Sequence, residues 1–391
     1  MPSHDGDHNA GEGIDAVSVG AGFAGLYAVY RLRQDGLSVR AFERGSGVGG
    51  TWFWNRYPGA RCDIESIYYS YSFSPELQQE WTWTHRYATQ PDILAYLNHV
   101  ADRFDLRSAF TFSTSVTTAV FDDETQTWLV TTDGGEVVRC RFLVMATGPL
   151  STPIDPQIPG LADFTGQVVR TGDWPAGLDL TGKRVGIIGT GSSGIQAAPM
   201  IAGQAGHLYV FQRTPQFAIP AWNRAYEPRE MERIKSEYPR MREKAWETIG
   251  GIIYEQPDHD PLTAPPEQRE AWLERTWARG GYLMIASYPN VLFSDEVNAM
   301  VGDFVKEKIR ARIRDAEIAD KLTPTYPFAA KRLCVDTEYF EIFNRDDTTL
   351  VDLRDAIPGL DQRNLQLVTT AIRHAAGQRH QQPAEHHPQA P

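Results

Sequence analysis

Two glycine clusters carry the first chemical signal. Gly20-Ala21-Gly22-Phe23-Ala24-Gly25 and Gly189-Thr190-Gly191-Ser192-Ser193-Gly194 share one spacing, G-x-G-x-x-G. In such a loop the first glycine makes a tight turn and the second lets the backbone approach a pyrophosphate. The third lets helix and strand pack closely, and the helix N-terminus turns N–H donors toward phosphate. The strands after the two loops end in different charge. The run after the first ends at Glu43, a carboxylate that accepts from ribose hydroxyls and repels a 2′-phosphate, so this site suits FAD or NAD. The run after the second ends at Gln212-Arg213-Thr214, without an acid, and the Arg213 guanidinium suits the 2′-phosphate of NADP. One unphosphorylated and one phosphorylated dinucleotide on a single chain point to flavin chemistry driven by NADPH.

The elements that must hold these loops are legible. AVSVGAGFAGLYAVYRLRQDG reads as strand, turn and helix, and LSVRAFE as the next strand; RVGIIGTGSSGIQAAPMIAGQAGHLYVFQRT repeats the unit. TQPDILAYLNHVADRFD has helical spacing and starts at Gln90-Pro91-Asp92. FTFSTSVTTAVF and TWLVTTDGGEVVRCRFLVMATG alternate as a β-meander turning at Asp133-Gly134-Gly135. The expected fold is therefore α/β, with two Rossmann-like dinucleotide-binding domains and a helical insert. We expect a disordered leader at 1–13, an FAD-binding part at 14–148 and a Pro- and Gly-rich link at 149–183. An NADP-binding part is expected from 184–225 and 321–345, with a charged helical insert at 226–320 whose helices read as solvated faces with one apolar side. A remnant and tail complete the chain at 346–391.

Composition narrows the function classes. A net charge of −12 over 391 residues argues against sequence-independent nucleic-acid binding. No run reaches the roughly 18 apolar residues of a membrane span, and the acidic, polar start is not a signal peptide. Cys62, Cys140 and Cys334 form no CxxC pair, which suggests a reducing cytoplasm and no zinc or other metal site.

Residues 49–63 read Gly-Gly-x-Trp-x4-Tyr-Pro-Gly-x3-Asp, from Gly49 to Asp63. With both glycine loops and Ala146-Thr147-Gly148, the chain from about 14 to about 358 resembles the type I Baeyer–Villiger monooxygenases of the steroid, phenylacetone and cyclohexanone type. The resemblance implies that NADPH reduces FAD and that O2 forms a flavin C4a-peroxide. A small-molecule ketone is then converted to an ester or lactone. It places the required fixed cation on Arg332, with Asp63 as its carboxylate partner. Lys331 would join Arg213 and Thr214 around the 2′-phosphate. Flavin contacts would come from Gly20, Gly22, Gly25, Glu43, Thr51, Trp52, Trp54, Asp63, Tyr69 and Val116. Thr190, Gly191, Ser192, Ser193, Gly194, Gln196 and Arg332 would hold NADP.

Two departures accompany the resemblance. The family fingerprint has His within Phe164-x-Gly166-x3-Arg170-x3-Trp174-Pro175, at the place where this chain has Arg170. A permanently charged, donor-only group there is expected to impair coupling of reduction to oxygenation more than nucleotide binding. Family members also continue for roughly 150 residues, about one domain, past the point where the match ends, so the FAD domain is expected to be incomplete. Residues 359–391 read as a disordered or out-of-frame tail, with His374, His380, His386 and His387 as solvated side chains. An incomplete sheet would expose apolar surface. Three alternatives stay open from the sequence: a related flavin N- or S-oxygenase, an uncoupled NADPH oxidase, and an NADP-binding chain without oxygenase activity.

Overall fold

The computed structural model describes residues 13–354, apart from Asp155, Gln157, Pro159, Gly160 and Ile249. The expected leader, except Gly13, and the tail with its four histidines lie outside the described residues.

In the first unit β1 (Ile14–Val19), α1 (Phe23–Gln34) and β2 (Val39–Glu43) are followed by α2 (Thr51–Trp54), α3 (Pro75–Glu80) and α4 (Gln90–Arg103). Next come β3 (Phe110–Phe112), β4 (Val116–Asp122), β5 (Thr127–Thr132) and β6 (Val137–Met145). The six strands form one sheet in the order β3-β2-β1-β6-β5-β4. Its β3-β2-β1-β6 half is parallel and its β6-β5-β4 half antiparallel. The central strands are covered on both faces, so Ala16, Val17, Ala41 and Phe42 are wholly buried. Helix α4 starts at Thr89, whose N–H and hydroxyl both donate to the Asp92 carboxylate, at 3.2 and 2.7 Å. It buries Ile93, Tyr96, Leu97, Val100 and Ala101, one face of a 3.6-residue repeat. The hairpin expected at Asp133–Gly135 turns through Gly135 at φ +80° and leads into β6.

After the link, β7 (Arg184–Ile188), α5 (Ser192–Ala202) and β8 (His207–Gln212) repeat the unit, followed by β9 (Ala218–Pro220). The charged stretch forms α6 (Pro228–Trp246), α7 (Pro266–Arg279), α8 (Asp295–Ala311) and α9 (Ala316–Leu322). β10 (Cys334–Asp336) and β11 (Thr348–Asp352) come last. The second sheet is parallel in the order β11-β8-β7, and β9 and β10 make a separate parallel ribbon.

Two expected boundaries change. Residues 348–352 are not part of a remnant: Thr348 to Asp352 pair with Leu208 to Gln212, so the second sheet runs past 345. The 226–320 stretch is not one insert but two. Helix α6 sends Met231, Ile234, Tyr238 and Met241 into the first unit's core beside Trp83 and Tyr96. Helices α7, α8 and α9 instead bury Trp272, Trp277, Val301, Val305 and Leu322 with Ile195, Leu208 and Phe217 of the second unit. Amphipathic helices need an apolar partner surface, and each unit supplies one.

Phe142 within β6, Met145 at its end and Ile188 at the end of β7 stand about half exposed, apolar side chains on the strands that enter and leave the link. All three cysteines are buried and unpaired. Among the described residues no helix is long and apolar enough to cross a membrane, and no His, Cys, Asp and Glu group is arranged to hold a metal ion.

Candidate functional site

The first glycine loop is shaped by close backbone approach. Gly20 has φ +106°, and a Cβ there would lie 2.5 Å from the Ala146 carbonyl oxygen. A Cβ on Gly25 would lie 1.8 Å from the Gly20 oxygen, so the helix cannot pack on the turn with any other residue. Gly22 caps α1 without a side-chain hydrogen bond, which leaves the first-turn N–H groups aimed outward. Buried Glu43 secures the loop: its Oε2 accepts the Ala21 N–H at 2.8 Å and its Oε1 the Gly45 N–H at 2.7 Å. Each carboxylate oxygen keeps a lone pair for a ribose hydroxyl. Val116, at the start of β4, lies near this end of the sheet, since the Thr114 N–H donates to the Glu43 carbonyl at 3.0 Å.

The second loop repeats the construction. Gly189 has φ +106°, a Cβ on Gly194 would lie 2.4 Å from its oxygen, and Gly191 caps α5 with open space where a Cβ would be. The Thr190 hydroxyl donates to the Thr214 carbonyl at 2.8 Å, which fixes Thr214 and the exposed Arg213 at the loop. Ser192 Oγ lies 3.5 Å from Cys334 Sγ. Lys331 is exposed and its ammonium stands 4.9 Å from the Tyr326 ring centroid. Gln216 donates to the Arg332 carbonyl at 2.8 Å, tying the strand exit to the Lys331-Arg332 pair.

The 49–63 segment joins the two units. Its Gly50 has φ +52°, and a Cβ there would lie 2.8 Å from the Gly22 Cα. Thr51 opens α2 and is exposed. Trp52 is buried, donates from Nε1 to the Tyr69 hydroxyl at 3.1 Å, and accepts from Gln90 Nε2 at its carbonyl. Burial pushes the Tyr69 phenol up to about 12. Trp54 lies under the Arg44 guanidinium at 4.8 Å. At the far end Gly59, φ +83°, abuts α5: a Cβ there would be 2.3 Å from the Gln196 carbonyl oxygen. Gln196, expected among the NADP contacts, has its side chain engaged within the protein. Its Oε1 accepts the Tyr57 hydroxyl at 2.8 Å and its Nε2 donates to the Arg61 carbonyl at 3.1 Å, so its buried amide holds the units together.

Arg332 and Asp63, 269 residues apart, meet at this junction. Both Nη2 and Nε donate to Asp63 Oδ2, at 2.5 and 3.2 Å. The Asp63 side chain is mostly buried while that of Arg332 is 70% exposed, so the cation presents to the open side. The bond to Asp63 holds the guanidinium well above its usual range. Tyr282, which the sequence did not single out, lies with its hydroxyl 3.0 Å from the same Oδ2 and 2.9 Å from the Leu333 carbonyl. It follows Gly280 and Gly281, at φ +71° and +63°. A Cβ on Gly281 would lie 2.1 Å from the Tyr87 hydroxyl, and such paired glycines were the available sign of a close approach. Beside this cluster is a small, partly open cleft, lined by Asp63, Glu65, Tyr68, Arg279, Tyr282 and Leu283 among others. Further along β10, Asp336 is wholly buried and pairs with Arg312 through two bonds of 2.8 and 3.0 Å, which anchors the strand that Arg332 precedes.

The link holds Arg170 at an exposed turn, where its carbonyl accepts the Asp173 N–H at 3.1 Å. Trp174 packs against the second core.

A profile of the pyridine nucleotide-disulphide oxidoreductase family matches residues 14–238. The chain is 43% identical over 347 residues to a Baeyer-Villiger monooxygenase of Pseudooceanicola batsensis, covering 88% of this chain and 64% of that protein. It is 41% identical to a phenazine N-monooxygenase of Lysobacter antibioticus, covering 87% and 63%. A solved structure of an oxidized steroid monooxygenase bound to NADP superposes with a TM-score of 0.86 at 51% identity, over 88% of this chain and 66% of that one. The chain thus spans about 64% of the length of the curated relative. With two glycine-loop units, the bridging 49–63 segment and a family match across both, the chain belongs to the pyridine nucleotide-disulphide oxidoreductases and, among them, to the Baeyer–Villiger monooxygenases.

Proposed function

We propose that this chain carries out NADPH- and FAD-dependent insertion of one oxygen atom of O2 next to the carbonyl of a small-molecule ketone, giving an ester or lactone. The Arg332–Asp63 pair carries this reading, because it sets a fixed cation between two nucleotide loops and beside a cleft. Both loops fit their nucleotides. α1 and α5 each begin at a glycine without a side-chain cap, the first beside buried Glu43 and the second beside Arg213 and Lys331. Gly20, Gly22, Gly25 and Glu43 would hold the diphosphate and ribose of FAD, with Thr51, Trp52, Trp54, Tyr69 and Val116 further along. Thr190 to Gly194, Arg213, Thr214 and Lys331 would hold NADP. When bound, NADPH would supply two electrons and FAD would activate O2, one oxygen atom entering the product and the other leaving as water.

The chain's own residues do the rest. Arg332 stabilises negative charge as it develops on oxygen at the reacting centre. Asp63 fixes the guanidinium in place, so no reorganisation is needed at that moment. Only 20% of the Asp63 side chain is exposed, so the anchoring end of the pair is less screened by water than a surface pair would be. Buried thiols without disulfides accord with a cytoplasmic location.

A second reading, oxygen transfer to a heteroaromatic nitrogen, is favoured by the 41% identity to a phenazine N-monooxygenase. Turnover under isotopically labelled oxygen gas separates the two. One labelled atom in an ester or lactone supports the first, labelled N-oxide from a phenazine supports the second, and labelled peroxide alone defeats both.

A further inference from the structure

We infer that Tyr282 is a positioning residue for the Arg332–Asp63 pair, locking the Asp63 carboxylate in the orientation that holds the guanidinium. The inference rests on the oxygenase reading of that pair. Three donors reach one oxygen: Arg332 Nη2, Arg332 Nε and the Tyr282 hydroxyl all lie within 3.2 Å of Asp63 Oδ2. The arginine contacts alone leave the carboxylate free to turn about its own side-chain bond and offer either oxygen. The third contact removes that freedom, since the phenol approaches from a different element. Its one proton is shared between the Asp63 carboxylate at 3.0 Å and the Leu333 carbonyl at 2.9 Å, the charged oxygen being the stronger acceptor.

The phenol is placed by backbone. Gly280 and Gly281 pass so close to the Pro220 carbonyl and the Tyr87 hydroxyl that a Cβ would lie 2.3 and 2.1 Å away. This clamps the start of the turn at Gly281–Ala286 against β9 and the first unit. Tyr282 also packs with Tyr87, Ala221 and Val335. The hydroxyl therefore touches residues of both nucleotide-binding units, Asp63 of the first and Leu333 of the second. Burial and the neighbouring Asp63 anion make the phenol a much weaker acid than usual, so it stays a donor through neutral and alkaline pH. Its ring, with Leu283, forms part of the cleft wall.

Tyr282→Phe keeps that wall and removes only the hydroxyl. Ketone turnover is expected to fall about tenfold, with the ketone and NADPH KM values each within about twofold of the parent. In an Asp63→Asn background the same substitution is expected to add less than about twofold, because it acts through Asp63. A second measurement does not depend on turnover. In the cofactor-loaded protein and in the stripped chain, Arg332 modification by phenylglyoxal, read by peptide mass spectrometry, is expected to run several-fold faster in Tyr282→Phe. An unchanged Arg332 reactivity overturns the inference, as does an equal fall in turnover with and without Asp63. No ester from any variant, together with faster Arg332 modification in Tyr282→Phe, would sink the oxygenase reading and leave the positioning role standing.

Discussion

Gly59→Ala tests how the two nucleotide units are held in register. The new Cβ would stand 2.3 Å from the Gln196 carbonyl oxygen and 2.9 Å from Met200 Cγ. Met200 can swing away, but the carbonyl belongs to the body of α5 and cannot move without the helix. At φ +83° the substitution also carries the left-handed penalty of about 1–2 kcal/mol. Gly135→Ala is the matched control: its φ is +80° and nothing lies within 4 Å of the new atom. The control therefore reports the conformational cost alone, and the difference reports the forced separation of α5 from residues 57–61. Overpacking of this kind costs about 1–3 kcal/mol, which for a chain this size is roughly 1–4 °C of melting temperature beyond the control. Because the displaced segment carries Tyr57 and Arg61 onto Gln196, the variant should also consume NADPH with less product formed. Thermal melts of both variants, with NADPH and ester counted in parallel, give the comparison. Equal melting points for Gly59→Ala and Gly135→Ala would refute the claim that this contact is tight.

Arg213→Ala should raise KM for NADPH by about 10- to 100-fold and barely alter turnover with NADH, as expected for a lost 2′-phosphate contact; steady-state kinetics with both nucleotides checks this. Glu43→Gln places an amide donor against either the Ala21 or the Gly45 N–H group and removes the charge. It should weaken FAD retention by at least about tenfold, measured by flavin absorbance after gel filtration. Stability should hold from neutral pH to about pH 9, where the unfolded chain begins to ionise cysteines whose thiols burial keeps protonated in the fold, and fall as pH rises toward 12. Tyr69, Tyr238 and Tyr326 are each raised from 10.0 to about 12 in the fold, so the unfolded chain loses those protons first and alkali favours it. Denaturant midpoints across that range, with Tyr238→Phe showing a shallower fall, test the sign.

The parts of the fold that were legible in sequence are those where local chemistry permits only one residue type. Gly20, Gly25, Gly189 and Gly194 stand where a side chain would strike backbone or where φ is positive, and Thr89 with Asp92 marks a helix start through its own hydrogen bonds. The helices between 226 and 320 show an apolar face, but amphipathicity does not say which core it meets, so their division between two units could not be read. Strand Thr348–Asp352 is five residues on the edge of a sheet, too short for its period to separate it from loop. Gln196 lies one turn into a nucleotide helix, where its type suits a ligand as well as a neighbouring backbone. Tyr282 is a lone aromatic whose role depends on a contact 219 residues away in sequence. Arg332 and Asp63 were reachable only through the family pattern, since their pairing spans most of the chain.

Arg332 is, on the proposed function, the cation that makes oxygen transfer productive. The most direct test of that role counts NADPH consumed and ester or lactone formed from a ketone by the FAD-loaded chain and by Arg332→Ala. The parent should form ketone-derived product in step with NADPH, and the variant should still bind both nucleotides while forming none. Equal product from parent and variant, or a parent that binds no flavin even in excess FAD, would contradict it.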